Sequence, residues 1–346
     1  MRTQSGSGQT FQLDRPWQAL APFLFATRHV DNYPKATTEM TPDASLAGHA
    51  LGSDFGNPEG WSMYHGQTVP GFPAHPHRGF ETITIVTRGF VDHADSTGAA
   101  ARYGVGDVQW LTAGNGVSHS EMFPLLDEDH DNPFELFQIW LNLAAVDKKA
   151  APEFTMLWNE DIPVVEVTGP DGGTARIKVI AGRFGDTEPL AAPSSSWASR
   201  TESDVAVWML DLEPHARVEL PAATRGDARR VLYVYGDDSA AVIDGNEVAD
   251  GVGYAQTSPG TTVVETGDSS ARLLLLQAVP IGEPVAQHGP FVMNTREEIV
   301  ETYDDYQRTQ FGGWPWDRTD VVHPKSETRF ARHTDGRLER PEPQAF

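Results

Sequence analysis

Apolar residues fall in short runs along this chain, and few runs are long enough for a helix. Residues 81–87 (ETITIVT) are β-branched at nearly every position and lead into Arg88-Gly89, a turn. Branching at Cβ stiffens the side chain and suits the pleated strand. Residues 106–111 make another short strand, followed by the small-residue run 112–116. Residues 134–143 alternate apolar with polar, as a strand with one buried face does. From 144 to 152 the pattern lapses into Ala, Lys and Pro, a connection between two halves. The second half repeats the cadence at 205–212, 216–220, 230–235, 241–243, 261–265 and 272–277, with Asp244-Gly245-Asn246 as a tight-turn signal. The halves share a rhythm but not residues. The expected architecture is all-β, a tandem pair of barrels with few short helices.

One helix stands out. Thr295 followed by Glu298 is a capping box, Ile299, Tyr303 and Tyr306 form a buried stripe, and Gly312-Gly313 is the expected stop. The expected boundaries are a first barrel over 1–148, a second over 149–316, and an irregular polar surface tail over 317–346.

Length agrees: 346 residues at roughly 150 per domain is about two domains. The charge balance, 26 Lys+Arg against 49 Asp+Glu, is −23, which argues against nucleic acid and anionic lipid as partners. Such a surface is self-repelling, and a monomer is the expected state. No apolar leader opens the chain and no run approaches ~18 apolar residues, so a cytoplasmic protein is expected. With no cysteine, there is no disulfide and no thiolate site. Any metal must be held by the 12 histidines and the carboxylates.

His75-Pro-His77 places two imidazoles on one face of an extended chain, because strand side chains repeat every second residue. His119-Ser-Glu121 has the same spacing. Three imidazoles and a carboxylate suit Fe(II), Mn, Ni, Cu or Zn rather than Ca or Mg. On a six-coordinate ion they leave two positions for O2 or a bidentate ligand. Each histidine taken singly is as readily a surface or core residue; the two pairs in one half carry the argument. Glu81, four residues after His77, is a second candidate carboxylate. His93 follows a strand turn; a hydrogen-bonding role at the pocket wall stands beside the simpler structural one. Gly114 and Gly116 allow a bend before His119, and Phe80, Trp110 and Met122 are expected to fill the barrel. The second half has only His215 and His288, far apart, and His323 and His333 are expected to be solvated in the tail.

Residues 71–82 (GFPAHPHRGFET), 106–122 (GDVQWLTAGNGVSHSEM) and 287–295 (QHGPFVMNT) resemble, in the same order, signature segments of the pirin family. The resemblance covers roughly 73–311 and is silent on the tail after Trp316. It implies a bicupin, two tandem cupin barrels, with one metal, usually iron, in the first and none in the second. Carried over position by position, the ligands are His75, His77, His119 and Glu121. Cupins in general use a glutamate at the position of Glu81, so the resemblance is what favours Glu121. It also implies two classes of function. One is a quercetin 2,3-dioxygenase, in which the metal binds the 3-hydroxyl and 4-carbonyl of a flavonol, O2 opens the central ring, and Glu121 serves as base as well as ligand. The other is a metal- or redox-responsive regulator acting through a protein partner. The enzyme is the primary expectation, with a small planar aromatic substrate.

Overall fold

The β-branched run beginning at Glu81 lies within the strand Phe80–Arg88, and the alternating run after Phe134 within the strand Asn132–Asn142. The computed structural model describes residues 8–342. These are mostly β and form two compact units, each assembled from separate stretches of chain. No helix among them is long and apolar enough to cross a membrane.

The unit holding the histidine pairs comprises, among the described residues, 28–139, 143–160 and 283–342. One of its sheets has the strand order Glu153–Leu157, Val108–Thr112, Phe80–Arg88, Asn132–Asn142, Phe23–Tyr33. The other runs Leu338–Glu339, Phe330–Arg332, Ala100–Gly104, Phe90–Asp95, Val117–Met122, Gly71–His77. The buried interior draws on both sheets, with Val86, Leu111 and Leu136 from the first and Val91, Ala101 and Val117 from the second.

Among the described residues the other unit comprises 8–27, 140–142 and 161–282. Its seven-stranded sheet begins at Gln9–Gln12 and its four-stranded sheet holds Ala240–Ile243 and Asn246–Ala249. Asp244 and Gly245, both at positive φ, close the hairpin between that last pair, as the turn signal predicts. Ile177, Trp208, Leu232 and Leu273 meet Val218, Ile243 and Val264 in its interior. Two all-β domains are therefore present.

The expected boundaries differ from these units. The Glu153–Leu157 strand extends the triad unit past 148 by pairing with Val108–Thr112. Gln9–Gln12 instead pairs with Val252–Ala255, in the other unit. The segment after Trp316 is not an irregular surface tail: Phe330–Arg332 pairs with Ala100–Arg102 and adds a strand to the triad unit's sheet. His323 is buried rather than solvated; its N–H bonds the Asp92 carboxylate at 2.7 Å. The physical cause is Arg102. Its buried guanidinium bonds Asp92 at 2.7 Å and needs more acceptors, which the carbonyls of His323, Pro324 and Glu327 supply.

The helix is Arg296–Thr309, with both halves of the capping box formed by Thr295 and Glu298. It stops earlier than the glycine pair: Gln310 takes the left-handed conformation and its N–H bonds the Tyr306 carbonyl. Ile299 is buried against Phe291 and Met293, with Tyr303 and Tyr306 packed beside them.

Candidate metal centre

His75 and His77 leave one face of the strand Gly71–His77, whose neighbour is Val117–Met122. Pairing puts His75 directly opposite His119. The ring centroids are 4.8 Å apart for His75–His77, 4.5 Å for His75–His119 and 5.0 Å for His77–His119. One nitrogen from each of the three lies within 4.8 Å of the others, the one such metal-competent group among the described residues. Gly114 and Gly116, both at positive φ, make the bend that leads into the His119 strand.

Glu121 follows His119 on the same face, with Oε2 3.6 Å from His119 Nε2. Its carboxylate is buried and accepts from the Thr84 hydroxyl at 3.2 Å and the Gln138 amide at 3.1 Å. Burial pushes its pKa up to about 7, against the opposing pull of His93, Thr84 and Gln138.

Glu81 lies elsewhere. Thr84, on the same regular strand, faces Glu121, so alternation turns Glu81 to the opposite face of that sheet. There it accepts from the Thr112 hydroxyl at 2.7 Å.

His93 is fully buried and cross-strand from Glu121; its Nε2 is 3.1 Å from Asp95 Oδ2 and its ring 5.5 Å from that of His119. Burial pushes the Asp95 carboxyl up, but His93 and Thr97 outweigh it and hold the pKa below the usual value. Phe80, Trp110 and Met122 are fully buried, as fillers should be. His215 sits exposed 3.4 Å from Asp268, and His288 bonds the Tyr303 hydroxyl at 2.8 Å; neither joins the triad. His333 stacks on Phe154 at 4.9 Å. His93 lies beside the centre, whereas Thr84, Gln138 and the role of Asp95 escape motif reading. They are found only by knowing which strand neighbours which and then applying alternation.

The residues fit a divalent metal. Both ring nitrogens of His119 are buried without a hydrogen-bond partner, a cost of about 1–3 kcal/mol per polar group unless something else satisfies them. The Pro73 carbonyl, 2.9 Å from His75 Nδ1, accepts a hydrogen bond from Nδ1–H and so leaves the lone pair on Nε2. Burial lowers the His75 pKa to about 4 and those of His77 and His119 well below the ordinary value, so all three are neutral donors at neutral pH.

Residues 10–141 match the family model described as Pirin, and residues 207–312 the one described as Pirin C-terminal cupin domain. A pirin-like protein of Caulobacter vibrioides is 36% identical over 272 residues, 78% of this chain and 90% of its own. A Pseudomonas aeruginosa protein named, provisionally, a quercetin 2,3-dioxygenase is 36% identical over 244 residues, 70% of this chain and 79% of its own. A crystal structure of quercetin 2,3-dioxygenase from Acinetobacter baumannii superposes with a TM-score of 0.69 at 27% identity, over 88% of this chain and 97% of that one.

Proposed function

The chain belongs to the pirin family, and from that premise we propose that it is a metal-dependent dioxygenase that opens the central ring of a flavonol such as quercetin with O2. The observation that carries this reading is the convergence of His75, His77 and His119 beside the Glu121 carboxylate. One divalent metal per chain, iron first among the candidates, would be held by those four residues. Bound there, such an ion supplies Lewis-acid polarisation of the substrate's adjacent hydroxyl and carbonyl oxygens.

The protein's own part follows from the geometry. Glu121 accepts the 3-hydroxyl proton on a carboxylate oxygen, its orientation set by Thr84 and Gln138. Asp95 fixes the His93 ring beside the centre. The buried walls exclude water from the electron-rich ring, whose opening takes up both oxygens of O2 and releases one carbon as carbon monoxide.

The test is anaerobic loading with Fe(II), followed by O2 uptake and carbon monoxide release with quercetin. Turnover far above that of free Fe(II) supports the reading. Uptake no faster than free Fe(II) overturns it and leaves the regulatory role.

A further inference from the structure

His77, His119 and Glu121 are buried, whereas His75 is only half-buried, the least covered of the four. Outward from His75 runs a continuous path of rings. Phe72 lies 6.2 Å from His75, His65 5.6 Å from Phe72, and Phe55 5.2 Å from His65. His29 flanks Phe72 at 5.9 Å, and Tyr64 sits beneath Phe72 at 5.3 Å. Exposure rises along this path: Tyr64 is 5% exposed, Phe72 half-buried, and Phe55 49% exposed.

The path is held by design rather than left as loose loop. Tyr64 has φ 56, a left-handed conformation that costs a bulky residue of order 1–3 kcal/mol. Two backbone bonds between Tyr64 and Asp54, at 2.8 and 3.0 Å, impose it, and the Tyr64 hydroxyl donates to Asp31 at 2.8 Å. The Asp54 carboxylate also receives the Met63 N–H at 2.7 Å and faces His49 Nδ1 at the same distance. The strain serves to set neighbouring Phe55 and His65 side by side with open faces. His65 Nδ1 is occupied by the Gly52 carbonyl at 2.6 Å, which leaves Nε2 as an acceptor for a phenolic hydroxyl.

We propose that Phe55, His65 and Phe72 form an aryl-recognition surface, selecting substrates that carry a hydroxylated aromatic ring beyond the chelating oxygens. The inference rests on the dioxygenase reading of the triad for its substrate class. The rings offer edge and face contacts to a planar partner, and His65 Nε2 accepts a hydrogen bond from a ring hydroxyl. The surface is specificity-determining: it touches the part of the substrate that does not react.

The test compares two chelators on the Fe(II)-loaded full chain under anaerobic conditions, by titration followed through ligand absorbance. Quercetin carries the aryl ring; maltol has the same hydroxyl-carbonyl pair without it. In Phe55→Ala and His65→Ala, quercetin affinity should fall about two- to tenfold, the range of one lost aromatic contact. Maltol affinity and iron content should not change, and Phe55→Tyr should restore quercetin binding. Equal loss for both ligands, no loss in either variant, or wild-type binding of quercetin no tighter than maltol overturns the proposal. These arms need no turnover, so absence of O2 uptake in the wild type sinks the dioxygenase reading alone.

Discussion

His75 and His119 occupy directly opposed positions on neighbouring antiparallel strands, their ring centroids 4.5 Å apart, although 44 positions separate them in sequence (119 − 75). The pairing makes the candidate metal site a property of strand register: a slip of one residue would send either imidazole to the other face.

Register also separates the two glutamates. Glu121→Ala should abolish metal retention and flavonol oxidation. Glu81→Gln should keep the metal and lose about 1–3 kcal/mol of stability through the weakened Thr112 bond. Metal analysis after desalting, with denaturant unfolding of each variant, checks this. An empty Glu81 variant beside a loaded Glu121 variant would reverse the ligand assignment.

Metal removal should destabilise the wild type. An ion present at 100 times its dissociation constant stabilises by about 2.7 kcal/mol, so chelation should lower the thermal midpoint. His119→Ala, lacking one donor, should unfold at nearly the same temperature with and without chelator. A chelator response equal to that of the wild type would remove His119 from the ligand set.

Arg102 and Asp92 form an ion pair with side chains 1% and 0% exposed. Arg102→Met leaves the Asp92 charge buried without its main partner and frees the carbonyls of residues 323–327. The expected cost is about 3–5 kcal/mol. Limited proteolysis should then cut between Trp316 and Phe330 faster than in the wild type. The double variant Arg102→Met/Asp92→Asn should be more stable than Arg102→Met alone.

Lys148 gives a pH signature. Its ammonium is buried, donating to the carbonyls of Gly79 at 2.7 Å and Val292 at 3.1 Å. Burial lowers its pKa to about 8. The unfolded chain, with Lys near 10.4, binds the proton more tightly across that window. Stability therefore rises with pH between about 8 and 10.4, by roughly 3 kcal/mol from this group, and the burial penalty is full below about 8. Lys148→Met should lack that rise. Urea midpoints of both proteins at pH 7.5 and pH 10 measure the difference.

What could be read in the sequence was whatever depends on nearby residues. The HxH and HxE spacings needed only the two-residue period of a strand, the capping box only four positions, and the hairpin at Asp244-Gly245 only local φ. What escaped depends on distant pairing. Gln9–Gln12 is four residues long, too short to show a period, and its partner strand is Val252–Thr257. The segment around His323 reads as polar because its burial comes from its carbonyls, which satisfy Arg102 and carry no side-chain signature. Glu81 and Glu121 are both an even number of residues from a histidine, so spacing left them level. The hydrogen bond from Thr84 to Glu121 separates them, and it requires knowing which sheets share an interior.

The strand Phe330–Arg332 extends the sheet whose two strands carrying the candidate ligands end at His77 and Met122. A ribosome adding about 5–20 residues per second makes that strand about 10–40 s after Glu121, the last of the candidate ligands. During this interval the three imidazoles and Glu121 exist on an unfinished sheet, with Arg102 awaiting carbonyls not yet synthesised. The four candidate ligands thus precede in synthesis the carbonyls that complete the Arg102 network, and a chain cut short before residue 323 would carry all four with Arg102 left to Asp92 alone among these partners.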